Sequence, residues 1–435
     1  MRVWYIPIVY ATAAILAGFL LPRAEHAYFE TYMNAFSTDS ALAFLGAIAS
    51  GMMALTAIVF SIAYITVQFN AIAYSPRLAL WFANDPRIFH SLGLFIATFL
   101  YALATMAWVG RGGTSGVPFV SGWIVLVLVI ASTLSFVILV RGLSELQINN
   151  TLHFVGDKGR AVIAEMYPRI DDRPDAGRET TADAAEYARI GPAVQTIRYF
   201  GKPRTIARFD IPDLVRRAEE AGAVFNIVCA VGDTLSNDTV LMTVHGTTKL
   251  LREPELRRAI HLKRERTFEQ DPKYAFRLLV DIAIKALSPA INDPTTAVQA
   301  LDQIEDLLRR IGRHELDAGY ARDAGGRLRV VFPMPSWEDY LHLAFDEIRQ
   351  YGSGSVQVMR RLRSALAGVA EAVASETRTA AVQAYLKQLD LSILRSPLDA
   401  DDRAVASQED RQGLGVSRKR PATSPPPART AAPPQ

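Results

Sequence analysis

A chain of 435 residues, 50% of them hydrophobic, carries a formal net charge of only +3. That balance leaves no electrostatic footprint for nucleic acid, and a mean hydropathy of +0.13 is high for a soluble protein. One cysteine, Cys229, excludes an internal disulfide and any multi-cysteine metal centre, and the seven histidines are scattered without a ligand spacing.

The apolar residues crowd into 1–140, which reads as a four-helix transmembrane region. Four uncharged runs, 3–21, 41–68, 88–109 and 118–140, each come near the roughly 20 residues that a bilayer crossing requires. The first has almost no basic leader, and PRAEHA after it offers no small-x-small cleavage site, so it reads as an uncleaved helix. Arg2, Arg77, Arg87, Arg141, Lys158 and Arg160 flank the spans on one side, and only Arg23 and Arg111 on the other. The positive-inside rule therefore predicts that both termini are cytoplasmic. No Asp, Glu, Lys or Arg lies inside a run, which argues against ion-coupled transport and voltage sensing.

The second run carries a stripe of small residues, Ala43, Ala47 and Gly51, beside a weakly polar one that includes Ser61 and Gln68. Helix packing through small residues and hydroxyls is the favoured reading, with a pore lining as the alternative. Ser75-Pro76-Arg77 is expected to end this helix at the membrane interface, where Arg77 meets lipid phosphate or Asp85.

Residues 141–168 read as the fourth helix continuing out of the membrane, and 169–195 as a polar linker. Over 196–250 a small α/β unit is expected, with strands at TIRYF, TIARF, AVFNIVCA and VLMTVH and a helix running from the cap Asp210 to Gly222. AVGDTLSNDTVLMTV resembles a biotinyl- or lipoyl-type hairpin. Asn237 replaces the second glycine and no Met-Lys-Met follows, so it reads as a plain hairpin. Cys229 lies in FNIVCAV and reads as a buried strand thiol. Residues 251–400 are expected to be a helical domain, opening with the basic helix LREPELRRAIHLKRERTFEQ and including a strand LRVVF before a helix capped by Ser336. Residues 401–435 read as a disordered tail rich in proline and arginine.

The C-terminal region is organised around 265–310. Asp271-Pro272 and Asp293-Pro294 each read as an N-cap followed by proline at N1, which predicts two consecutive helices. Asp281, Lys285, Ser288, Asn292, Asp293, Thr295 and Thr296 gather around the turn between them. These are ordinary cap and turn residues, and the favoured reading is two capped helices. They also form the candidate ligand or cation pocket, at the start of the second helix, where free N–H groups favour anions.

LVDIAIKALSPAINDPTTAVQALDQIEDLL resembles the signature of a bacterial membrane-protein family known as domain of unknown function 2254. SGMMALTAIVFSIAYITVQFNAIAYSPRL and FPMPSWEDYLHLAFDEIRQYG match it in the same order, and the resemblance runs from about residue 40 to about 395. It implies a multi-pass protein of the cell inner membrane with a cytoplasmic C-terminal region, and it brings no activity and no catalytic residues.

The expected fold class is a mainly α membrane protein. Four transmembrane helices precede a cytoplasmic α+β region with a small β-rich subdomain and a helical C-terminal part. The leading function is a homo-oligomeric, non-enzymatic protein in the lipid bilayer. Its cytoplasmic domain would bind a small-molecule or protein partner and bias the bundle. A channel or transporter subunit, with the second span lining a pore, is the alternative. A membrane-bound enzyme ranks last, because no nucleophile–base pair, metal constellation or glycine-rich phosphate loop is present. The sequence names no cofactor.

Overall fold

The computed structural model describes residues 3–28, 37–73, 86–109, 119–144, 148–170, 185–316, 319–373 and 375–416. It divides into two compact units, Met1–Thr151 and Leu152–Gln435.

The first unit holds α1 (Ile6–Tyr28), α2 (Thr38–Ala73), α3 (Pro86–Met106) and α4 (Phe119–Ser144). All four are long and apolar enough to cross a membrane. The central helix is α3, which packs on each of the others and fully buries Phe95 and Ala102. Close approach to α1 depends on small residues, since a Cβ on Gly18 would lie 2.5 Å from that of Ala104. Hydroxyls join α3 to α4: Thr98 to Ser132 at 3.0 Å and Ser135 to Ser91 at 2.8 Å.

The first span is longer than the uncharged run suggests. α1 continues through Pro22, and Glu25, only 4% exposed, turns into the bundle. Its carboxylate accepts from the Val120 amide (2.5 Å), the Ser121 amide (3.1 Å) and the Ser121 hydroxyl (3.0 Å). It thereby satisfies free N–H groups at the start of α4, a helix end that has no intrahelical acceptor.

The second unit begins within α5 (Ile148–Met166), whose later turns lie on the helices described below: a Cβ on Gly159 would sit 2.9 Å from both Ala275 and Leu307. Of the expected helical extension, the described residues show α4 as far as Ser144 and α5 from Ile148 to Met166; residues 145–147 lie outside the described ones. Next come β1 (Gln195–Tyr199), β2 (Arg204–Phe209), α6 (Ile211–Ala221), β3 (Val224–Ile227), β4 (Thr234–Leu235) and β5 (Thr239–His245). As expected, Asp210 caps α6 by accepting from the Asp213 amide, and Gly222 ends it at φ 61°.

After β5 the chain departs from the expected basic helix. Only α7 (Glu253–Arg258) is helical; β6 (Ile260–Lys263) follows and pairs antiparallel with β2. Burial decides this, because Ile260 joins the apolar core of the β subdomain and Leu262 packs against it. The remaining elements are α8 (Pro272–Ala286), α9 (Pro294–Ile311), β7 (Tyr320–Arg322), β8 (Leu328–Val331), α10 (Trp337–Tyr351), α11 (Val356–Ala372), α12 (Glu376–Leu394) and α13 (Ala400–Ala406). One sheet has the order β1-β5-β3-β8-β7 and the other β4-β2-β6. β8 joins β3 in parallel, Phe225 opposite Val330, so the β subdomain closes only after α8 and α9 have been laid down.

The tail is ordered further than expected. Beyond α13, the buried Asp410 accepts from the amides of Gly413 (3.0 Å) and Gly415 (2.7 Å), and the buried Arg360 donates to the Gly415 carbonyl (2.9 Å). These contacts hold the chain as far as residue 416; residues 417–435 lie outside the described ones.

Candidate functional site

The turn between α8 and α9 is built from caps. Both oxygens of Asp293 are taken by Thr296, Oδ1 by its amide (3.1 Å) and Oδ2 by its hydroxyl (2.6 Å). Ser288 donates from Oγ to the Lys285 carbonyl (2.7 Å), and Asn292 takes the left-handed conformation, φ 50°. Asp281 pairs with Arg277 (2.7 Å), whose guanidinium also grips Glu347 of α10 through bonds of 2.6 and 2.8 Å. Thr295 is exposed, and Lys285 makes no ion pair among the described residues. Of the seven residues, Asp293 and Thr296 meet, Lys285 and Ser288 meet through the backbone, and Asp281 serves the helix packing of α8 on α10.

The residues singled out in α2 face outward. Gly51, Ser61 and Gln68 are exposed, and a Cβ on Gly51 would meet nothing within 4 Å. The buried stripe is Leu45, Ala49, Met52, Val59 and Ala63. Ser75, Pro76 and Arg77 lie outside the described residues.

A different feature stands out where the β subdomain meets the start of α8. The first Asp-Pro pair does not work like the second: Asp271 makes no capping hydrogen bond. Its carboxylate is 1% exposed and is held by Arg266, Nε to Oδ2 at 2.5 Å and Nη2 to Oδ1 at 3.1 Å. Burial pushes the Asp271 carboxyl above its ordinary range, with the Arg266 guanidinium pulling the other way. Gln270, at φ 49°, pairs its amide with the backbone of Phe209 in both directions, at 2.9 and 3.2 Å, and so ties α8 to β2. Gly232 makes room: at φ 91°, its Cβ would lie 2.7 Å from both Arg266 Nη2 and Asp271 Oδ2.

Beside Asp271 lies a cavity of about 240 Å³. Its apolar wall comes from Met166, Phe209, Ile211, Pro272, Phe332 and Met334, and its polar edge from Glu165, Gln270, Asp271 and Lys273. Tyr167, next to the end of α5, completes the lining and shares a 2.9 Å hydroxyl–hydroxyl bond with Tyr340 of α10. Burial pushes the Tyr167 phenol up to about 12, so it stays neutral near pH 7. An apolar wall with a few convergent polar groups is the usual form of a small-molecule site. The sequence offered one signal for it, Arg266 five residues before Asp271, which is indistinguishable there from a solvated charge pair.

Among the described residues no group of three or more His, Cys, Asp and Glu side chains is placed to hold a metal. Cys229 is buried, lies 3.1 Å from the Val240 carbonyl, and has its thiol pushed up by burial. It is a packing residue of the β subdomain.

A family model described as predicted membrane protein (DUF2254) matches residues 1–368. The chain belongs to this family. The match begins before the quoted stretches and takes in both units. Two relatives, each described as an uncharacterized protein, come from Mycobacterium bovis and Mycobacterium tuberculosis. Each is 26% identical over 438 residues, covering 98% of this chain and 82% of the relative. No solved structure matches the chain.

Proposed function

We propose that this member of the family is a multi-pass inner-membrane protein whose C-terminal unit lies in the cytoplasm. There it binds a small molecule in the Asp271 cavity and transmits occupancy to the membrane helices. The observation that carries this reading is the lining itself: Glu165, Met166 and Tyr167, at the end of α5, form part of the cavity. α5 is a single helix whose other end starts four residues after α4, the last span, stops. A ligand of about the cavity's size would have an apolar body against Met166, Ile211 and Met334, and an acidic group toward the Lys273 ammonium.

The experiment is native mass spectrometry of the full-length protein released from detergent micelles, wild type beside Ala230→Trp. Ala230 lines the cavity, so tryptophan fills it. Wild type should carry an additional small mass that the variant lacks; an identical mass for both proteins would refute the reading. The outward face of α2 supports a second element, association of copies through Gly51 and Ser61, where small residues permit close backbone approach.

A further inference from the structure

A second cleft lies where the ends of α5 and α9 are strapped together. The Ile170 amide donates to the Arg313 carbonyl (3.1 Å) and the Glu315 amide to the Pro168 carbonyl (2.9 Å), which sets Arg169 opposite His314. The result is a cleft of about 650 Å³ whose lining includes Arg169, Arg309, Arg310, Arg313 and His314 against one carboxylate, Asp306.

The ordinary reason for cations here is the negative end of the α9 dipole. That end is already served by Arg378 of α12, whose Nη1 donates to the carbonyls of Gly312 (3.2 Å) and His314 (2.9 Å). Arg309 pairs with Glu305 and Arg310 with Asp306, each one turn back. Both acids are shared: Glu305 also binds Arg361, at 2.6 Å, and Asp306 also binds Arg160, at 2.8 Å. Arg169 has no ion pair among the described residues, and the Arg313 side chain makes one long bond, Nε to the Ala372 carbonyl at 3.4 Å. His314 donates from Nδ1 to the Arg310 carbonyl, 2.7 Å away. Among the described residues the cations of this cleft therefore outnumber the carboxylates that balance them, and their mutual repulsion is relieved by an anion.

We propose that this cleft binds a ligand bearing two or more phosphate groups, held by Arg169 and Arg313 with Arg309 and Arg310 at its sides. Planar guanidinium forks match phosphate oxygens bidentately, and the cleft has room for more than one phosphate. The site is separate from the Asp271 cavity and does not depend on what fills that cavity. The phosphates have two possible sources, a soluble polyphosphate ester or the headgroup of an anionic phospholipid.

The test is calorimetric titration of the full-length protein, in a neutral detergent, with sodium tripolyphosphate. Saturable binding is expected, weakened about tenfold by Arg169→Gln and by Arg313→Gln, since each removes one charge-assisted contact. Arg252→Gln removes an exposed arginine remote in sequence from the cleft and should leave the affinity unchanged. Both cleft arginines are exposed, so unaltered melting of the variants accompanies the expected result. Absence of saturable binding, or equal affinity in the Arg169→Gln/Arg313→Gln double variant, overturns the proposal. Repeating the titration in nanodiscs separates the sources. Weaker tripolyphosphate binding in discs containing cardiolipin, whose headgroup carries two phosphates, than in pure phosphatidylcholine, seen in wild type and lost in the double variant, assigns the cleft to lipid headgroups. Equal binding in both discs assigns it to a soluble ligand.

Discussion

Two glycines in the second unit take positive φ for different reasons, and one substitution made at both isolates the geometry of the Asp271 site. Gly222 ends α6 at φ 61° with open space where a Cβ would be, whereas Gly232, at φ 91°, faces Arg266 and Asp271 at 2.7 Å. Gly222→Ala should therefore cost only the left-handed backbone penalty, about 1 kcal/mol. Gly232→Ala should cost the same penalty plus the displacement of a charge-assisted pair, about 1.5–3 kcal/mol more. For a unit of this size the first change should lower the melting temperature by about 2–4 °C, and the second by two to four times as much. The assay is thermal melting of the full-length protein in detergent, followed by tryptophan fluorescence. In an Arg266→Ala background the Asp271 carboxylate is free to turn away, and Gly232→Ala should then cost no more than Gly222→Ala. Equal losses at the two glycines in the otherwise wild-type protein would refute the close approach inferred at Gly232.

Other outcomes follow from particular contacts. Asp293→Ala removes the α9 cap and should destabilise the protein by about 0.5–2 kcal/mol, with Asp293→Ser recovering most of the loss in the same melting assay. Reporter fusions after Tyr28, at the end of α1, and within 110–117 should read as outside, and fusions near Asn84 and at the C-terminus as inside; an inside signal within 110–117 contradicts the both-ends-in topology. Gly51→Leu has room in a single copy, so it should leave folding intact while lowering the oligomer mass measured by light scattering; unchanged mass shows that this face is not the subunit contact.

The four spans were legible because uncharged runs of membrane length have few other uses, and the Asp293 and Ser336 caps because their spacing is local. Glu25 was not, since its role is to satisfy the start of α4, ninety-five residues away, and a carboxylate after Pro22 reads as the end of a span. β6 was hidden by arginines and glutamates on both sides, a composition that favours helix, while two apolar residues, Ile260 and Leu262, made the strand. The pairing of β3 with β8 joins segments on either side of α8 and α9, which no local pattern reveals. The Asp271 cavity was hidden for a related reason. Two Asp-Pro pairs look alike along the chain, and only tertiary burial turns Asp271 toward Arg266 while leaving Asp293 as a cap.

The most direct test of the account is amide hydrogen exchange across α5, Ile148–Met166, in the full-length protein as purified, with the proposed small molecule in the cavity, and again after extended detergent exchange to remove it. If the Asp271 cavity reports to the membrane through α5, exchange in α5 should be slower in the occupied protein while exchange in α12, which does not line the cavity, stays the same. Identical exchange across α5 in the two samples would contradict the claim that occupancy of the cavity is carried along this helix.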